Sequence, residues 1–417
     1  MSGMPRVSVI VVSHGRPALL LRCLQSLRYQ YFENFEIVVV ADRAGAAAIR
    51  ASRFRAYVKL SQFEDQNISQ ARNLGLACAA GELVAFIDDD AAAEPTWLGH
   101  LVAAFEEPGV GSATGFVLGR NGISFQWKAR TISARAEHAD ILVPENRTTF
   151  HAPPNEGGAV KVEGTNCAFR RAALDRIGGF DSAIRFYLDE SDISLRLAAS
   201  GYATAVVPMA QVHHGFAASA RRTWNRAPRS LFEIGASLAV FLGKHGNAHL
   251  IAERVSAERY GQRVRLLRHM QLGTLTPGDV PRLLRSFDQG VAAGRGRTSV
   301  VEKIPSARDF RRCPTIAKPG GTKLLAGYRW QKRRLLRKSI AVASDGTVVT
   351  VFLASLFPFR HKVQFLAEGV WLHSGGLMGR SRRDRSSPRC LKPLRRLEWE
   401  NARLRGIRDL LPAKAED

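Results

Sequence analysis

Cysteine is scarce and scattered in this chain of 417 residues. The five thiols, Cys23, Cys78, Cys167, Cys313 and Cys390, form no CxxC pair and no short spacing that would hold zinc or frame a disulfide-stapled fold. A reducing compartment is expected, with all five serving as packing residues. Long apolar runs are lacking too. The longest, Val348 to Phe357 and Leu238 to Leu242, fall well short of the ~20 residues that span a bilayer. Met1 to Arg6 leads straight into a strand pattern without the apolar core of a secretory leader. The expectation is a cytoplasmic globular protein, long enough for two or three domains.

Acidic residues run short in one half only. Net charge is +24, but residues 1–225 carry 23 Lys and Arg against 22 Asp and Glu, while residues 226–417 carry 38 against 15. A near-neutral half is therefore joined to a basic half suited to an anionic surface. Phospholipid, nucleic acid and acidic polysaccharide are the candidates. No RNA- or DNA-binding motif accompanies the charge, which disfavours nucleic acid.

The sharpest pattern is Leu83-Val84-Ala85-Phe86-Ile87-Asp88-Asp89-Asp90. Five apolar residues after the break at Gly81 read as a strand of a parallel sheet, buried on both faces. It delivers three carboxylates to the sheet's carboxyl edge, where open α/β folds bind ligands, and their mutual repulsion calls for a cation. A solvated acidic loop is the plainer alternative. Val7 to Ser13 and Phe35 to Ala41 read as two more buried strands, joined by a helix with Pro17 in its first turn, and Asp42 follows the second. Asn67 caps a helix that Gly81 ends. Arg72 and Asn73 fall near its start, where the dipole disfavours a cation unless an anion is also present. Asp189-Glu190-Ser191-Asp192 opens a further helix, stopped by Gly201, and a strand then leads to His213-His214-Gly215.

In this order the segments resemble the inverting family 2 glycosyltransferases over residues 6 to about 225. The resemblance rests on Ser13-His14-Gly15-Arg16-Pro17, Asp42, Ala71-Arg72-Asn73-Leu74-Gly75, Asp88-Asp89-Asp90, Gly164-Thr165-Asn166 to Arg171, Gly179-Phe180-Asp181, Asp189 to Asp192, and His213-His214. It implies the GT-A fold, a Rossmann-like mixed α/β sheet flanked by helices. It also implies transfer of a sugar from a nucleoside-diphosphate sugar to an acceptor hydroxyl, in cell-surface polysaccharide or glycolipid synthesis. Asp88-Asp89-Asp90 would be the DxD motif. Asp90, Asp88 and His213 would hold Mn2+ or Mg2+, the histidine tilting the choice toward manganese, with Asp88 and Asp89 also facing the donor. Asp42 would contact the nucleoside and Arg72 the phosphates. Glu190 would be the base, with Asp189 and Asp192 as alternatives. Two departures stand out: Ala41-Asp42-Arg43-Ala44 lacks the family's glycine turn, and the family's Glu-Asp is reversed to Asp189-Glu190.

Residues 1–225 are thus expected to form the catalytic domain, 226–298 a helical extension, and 299–417 a basic module. Leu231 to Leu242 should pack on the first domain near the acceptor side, with an interfacial membrane position as the alternative. Ile340 to Leu353 reads as a hairpin about Asp345-Gly346, and His361 to His373 as another about Glu368-Gly369. A basic helical tail should run from Arg395 to Leu411. Peripheral attachment to the cytoplasmic membrane face would suit a glycan or lipid-linked acceptor. A nucleotidyltransferase on a similar sheet and a non-catalytic basic binding protein are the competing readings.

Overall fold

The computed structural model describes residues 4–154, 157–246, 248–317, 321–376, 379 and 393–408. Cys390 and the end of the expected tail lie outside them. The chain begins with alternating elements: β1 (Val7–Ser13), α1 (Pro17–Arg28), β2 (Phe35–Ala41), α2 (Arg43–Arg50), β3 (Val58–Gln62), α3 (Ile68–Cys78) and β4 (Leu83–Ile87). Strands β4, β1, β2 and β3 lie side by side and parallel. This follows from the near-continuous apolar runs of β4, β1 and β2, which need helices on both faces, while the more polar β3 lies at the edge. One helix packs very closely, for a Cβ on Gly75 of α3 would overlap Ile10 of β1.

Next come β5 (Ala91–Ala93), α4 (Trp97–Ala103), β6 (Val110–Leu118), β7 (Phe125–Trp127), β8 (Arg130–Ile132) and β9 (His138–Asp140). They are followed by β10 (Thr149–His151), β11 (Ala159–Lys161), β12 (Asn166–Arg170), α5 (Arg171–Ile177), α6 (Asp189–Ala199) and β13 (Ala203–His214). The main sheet has the order β10-β13-β6-β12-β4-β1-β2-β3, with β5 on β13 and β7 on β6. Strand β12 runs antiparallel to both β4 and β6, so the sheet is mixed. The result is the α/β architecture that the resemblance implies. Beyond Pro208, β13 continues as one strand, shifting register against β6 between Val207 and Gln211. That shift lets its far end pair with β5 directly beside the acids of β4.

Three helices follow: α7 (Phe232–His245), α8 (Ile251–Gln271) and α9 (Asp279–Arg295). A Cβ on Gly235, Gly290 or Gly294 would overlap backbone of the facing helix, so α7 and α9 meet almost backbone to backbone. Residues 235–242 of α7 are buried, and its Leu238 and Phe241 share a core with Leu188, Leu195 and Phe287. That burial removes the interfacial alternative for this helix.

The last module contains β14 (Thr322–Tyr328), α10 (Lys332–Ser344), β15 (Val348–Ser355), β16 (Lys362–Phe365), β17 (Val370–Gly376) and α11 (Pro393–Leu404). The hairpin expected about Asp345-Gly346 is absent. Residues 332–344 are helical, burying Leu335, Ser339 and Ala343 at a spacing of four, and β15 pairs in parallel with β14. Asp345 is instead the helix C-cap and Gly346 takes the left-handed φ of +86°. An Asp-Gly pair serves a helix end as well as a two-residue turn. The hairpin about Glu368-Gly369 does form, with β16 antiparallel to β17.

Candidate functional site

The three acids after β4 face different surroundings. Asp89 is fully buried, and its Oδ2 accepts from Ser13 Oγ at 2.7 Å and Arg16 Nε at 3.1 Å. Burial lifts its pKa to about 7 even though Arg16 opposes the rise. Asp90 Oδ2 accepts from the Ala217 amide at 2.6 Å, while Oδ1 lies 3.2 Å from His214 Nε2 without a hydrogen bond. Against the effect of burial, His214 and Arg16 hold the Asp90 carboxyl well below its ordinary range. Asp88 keeps a third of its side chain exposed and lies 3.6 Å from His214 Nε2.

His213, expected as the third metal ligand, faces the other way. Successive residues of a strand point to opposite faces, and His213 sends Nε2 to Glu94 at 2.7 Å while its ring packs on Trp371. Its neighbour joins the acids: donor atoms of Asp88, Asp90 and His214 all lie within 4.8 Å of one another. His214 Nδ1 sits 3.0 Å from Gln126 Oε1. Against the effect of burial, Asp90 and Asp88 raise the imidazole pKa; a cation would take the Nε2 lone pair while Nδ1–H donates to Gln126. Two carboxylates and an imidazole, with the buried Asp90 Oδ1 unsatisfied, fit a divalent cation of the Mn2+ or Mg2+ class.

The cluster opens on a cavity of about 480 Å³, lined also by Arg16, Trp127, Tyr187, Arg221 and Arg222. Arg221 and Arg222 stack on Phe186 and Phe216 at 4.4 and 4.0 Å. Burial lowers both guanidinium pKa values, and neither makes an ion pair among the described residues. These are half-buried cations facing a cavity, each donating to a single backbone carbonyl, of Gln66 and Ala217 respectively.

Arg72 is not among the lining residues. It is buried, forms an ion pair with Asp189, donates to the Gly164 carbonyl at 3.2 Å, and lies over the rings of Phe86 and Phe180. The cation near the start of α3 is thus balanced by an acid of α6, and the phosphate role expected for Arg72 has no geometric support. Asp42 is equally engaged, its two oxygens accepting from the amides of Gly45 and Gly15, both at 2.9 Å. It caps α2 and does not line the cavity.

The acids of α6 separate clearly. Asp189 belongs to Arg72, and burial together with Glu190 pushes its pKa up. Asp192 is fully buried among Arg196, Lys244 and His245, at 2.6, 2.8 and 2.7 Å. Glu190 is 19% exposed and meets Lys161 Nζ at 3.1 Å; against burial, Lys161, a hydrogen bond with Asp189 and the Arg72 charge together hold the carboxyl low. Glu190 is not a lining residue, but it lies three positions past Tyr187, which is. Asn166 and Asp181 are structural. Asn166 bonds Trp97 and the carbonyls of Phe116 and Ala210, while Asp181 ties Lys244 and the Val300 amide to the fold.

A second cluster, His361, His373 and Glu400, has ligand-like spacing. Its chemistry differs. His361 Nδ1 and His373 Nε2 face the guanidiniums of Arg396 and Arg408 at 2.6 and 3.0 Å. Arginine only donates, so the inward nitrogens carry the protons and offer no lone pair to a cation.

Sequence reasoning does not single out Glu94, Gln126, Trp127, Arg221 or Arg222. Only the doubled Arg221-Arg222 after the histidines is visible as a pattern.

Comparison with known proteins gives a match between residues 8–178 and the family model described as Glycosyl transferase family 2. An O-antigen biosynthesis protein of Myxococcus xanthus is 27% identical over 260 residues, 59% of this chain and 20% of that protein. A glucosyl-dolichyl phosphate glucuronosyltransferase of Haloferax volcanii is 28% identical over 184 residues, 42% of this chain and 56% of its own. The chain spans 25% and 20% of the lengths of two curated relatives that it matches over half or more of its own. Among solved structures, a mannosyltransferase of Pyrobaculum calidifontis in complex with GDP-Man and Mn2+ aligns with 70% of this chain and 88% of its own, at a TM-score of 0.44 and 18% identity.

Proposed function

We propose, from the premise that residues 8–178 match glycosyl transferase family 2, that this chain transfers a sugar from a nucleoside diphosphate to an acceptor hydroxyl, with inversion. The observation that carries this reading is the Asp88, Asp90 and His214 cluster on the wall of a cavity that also holds Arg16, Arg221 and Arg222. A divalent ion held by those three residues would supply Lewis-acid stabilisation of the leaving diphosphate. The residues' own work is to bind and orient. Arg221 and Arg222, half-buried without a carboxylate partner among the described residues, gain most from an anionic ligand and take the phosphate role first expected of Arg72. Arg16 stays with Asp89 and Asp90 and keeps adjacent acids compatible.

Of the acids on α6, Glu190 alone has free surface and no arginine partner, so it is assigned as base. It would take the acceptor hydroxyl proton as that oxygen attacks opposite the diphosphate, and inversion follows from that placement. Its low pKa keeps it ionised, and Lys161 must loosen as the proton arrives. Glu190→Gln should cut turnover by about 100- to 10,000-fold while nucleotide binding persists. Asp90→Asn should abolish Mn2+ binding. A panel of nucleotide sugars, assayed with Mn2+, Mg2+ and chelator, tests the whole reading. Nucleotidyl transfer without sugar transfer would replace it with the competing enzyme class.

The acceptor is proposed to be a glycan or lipid-linked glycan, a class consistent with the names of the relatives. Among the described residues no helix is long and apolar enough to cross a membrane. Exposed Trp330, Phe357 and Phe359 lie close to Arg329 and the basic start of α10, a combination suited to anionic lipid headgroups. Flotation with anionic but not neutral vesicles is expected, and equal flotation with both would remove the membrane part of the proposal.

A further inference from the structure

Arg408 lies 314 positions from Glu94, yet its guanidinium grips that carboxylate with two bonds of 2.6 Å. The arginine is fully buried over the Trp371 ring, and its remaining nitrogen donates to Thr350 Oγ1 at 3.1 Å and to His373 Nε2 at 3.0 Å. The backbone around it is anchored on the first half of the chain. Thr96 Oγ1 donates to the Ile407 carbonyl, Tyr31 OH to that of Arg408, and His100 Nε2 lies 2.8 Å from that of Gly406.

Glu94 is more than the partner of an arginine. Its Oε1 also meets His213 Nε2 at 2.7 Å, and its amide donates to the Gln211 carbonyl at 3.1 Å. One carboxylate therefore ties the end of β5 to β13. The register there pairs His214 with Ala91, His213 with Ala92 and Val212 with Ala93. Asp90 immediately precedes the first of these pairs and His214 belongs to it. The distance between the two residues assigned to the cation is thus set by a strand pair that Glu94 clamps from one side and Arg408 holds from beneath.

We propose that Arg408, acting through Glu94 and His213, is a positioning residue that fixes Asp90 and His214 at cation-binding separation, so that the C-terminal module completes the cation site of the first half. This rests on the assignment of Asp88, Asp90 and His214 made above. Groups that orient ligands are commonly worth 10- to 100-fold in metal affinity, and a loss of at least about 10-fold is expected here.

The test uses the full chain, with Mn2+ binding read from the free-ion electron paramagnetic resonance signal and stability read in parallel. Arg408→Met should weaken Mn2+ binding by about 10-fold or more, and Arg408→Lys, which keeps the charge, should recover part of it. The single change strands a buried carboxylate, so the double variant Glu94→Met/Arg408→Met is the safeguard. Replacing both partners of a buried pair by apolar groups often preserves the fold, yet it still removes the clamp. Arg396→Met, in the same module but bonded to His361, should lower stability without touching Mn2+ affinity. Wild-type Mn2+ affinity in the folded double variant, with binding lost in Asp90→Asn, overturns the proposal and leaves the site standing. Equal binding by Asp90→Asn and wild type overturns the site itself.

Discussion

Arg72 offers the strongest test of how this site is wired. Its guanidinium is 5% exposed and Asp189 is 4% exposed, the two joined directly, with Gly164's carbonyl as a further acceptor. Removing one member of a buried pair leaves a desolvated charge behind, at a cost of about 3–5 kcal/mol. Arg72→Met should therefore destabilise the protein by roughly that amount, and Asp189→Leu should do the same. In the double variant Arg72→Met/Asp189→Leu no charge is stranded, so much of the loss should return. A double variant that loses less than either single requires a coupling above about 3 kcal/mol, at or beyond the upper end for residues in contact. Urea unfolding followed by far-ultraviolet circular dichroism gives the stabilities, and calorimetry gives nucleotide affinity. Nucleotide affinity in Arg72→Met should change little below the unfolding transition. A stable Arg72→Met variant that loses nucleotide binding 100-fold would put the guanidinium on a phosphate and refute the reasoning.

Several outcomes follow from other parts of the fold. His214→Ala should abolish saturable Mn2+ binding, whereas His213→Ala should only weaken it, since the two rings face opposite sides of β13; equal effects in the same titration would remove the distinction. Gly290→Ala should cost about 1–3 kcal/mol of stability, because the added methyl has no room against the Phe232 carbonyl; an unchanged thermal midpoint would show that α7 and α9 can separate. His361 has its pKa lowered by burial to about 4 from 6.5, so the folded state resists protonation. Its stabilising contribution is whole above 6.5 and declines as pH falls from there toward 4, which Trp371 fluorescence should follow. Glu94 has its pKa held at about 2 against an ordinary 4.5, Arg408 and then His213 outweighing burial. Its contribution is whole above 4.5 and is lost as pH falls toward 2. Acid should therefore loosen the histidine cluster of the last module before it breaks the Glu94 to Arg408 clamp, and a reversed order of the two transitions would contradict the assignment.

The parts of this molecule that were legible in its sequence are those whose signal is local. The apolar runs of β1, β2 and β4 mark a buried parallel sheet because a strand covered on both faces has no polar face to show. The helix start at Asn67 follows from its cap, whereas the helix ends at Cys78, short of the stop expected at Gly81, and the three acids at the end of β4 stand out because like charges so close together need a partner. What stayed hidden depends on partners far along the chain. No local pattern says that Arg72 belongs to Asp189, and an arginine near a helix start looks the same whether its anion is a ligand or a side chain. The choice between His213 and His214 turns on a single step of strand phase. That phase is set where β13 shifts between Val207 and Gln211, which a run of apolar residues around Pro208 does not reveal. The Asp345-Gly346 pair misleads for a related reason: it marks a reversal, and whether a strand or a helix precedes it depends on Leu335, Ser339 and Ala343 meeting β15. Sequence motifs thus locate the acids, while the strand pair that brings two of them beside one histidine is tied by Glu94 to His213 and to Arg408, 314 positions away.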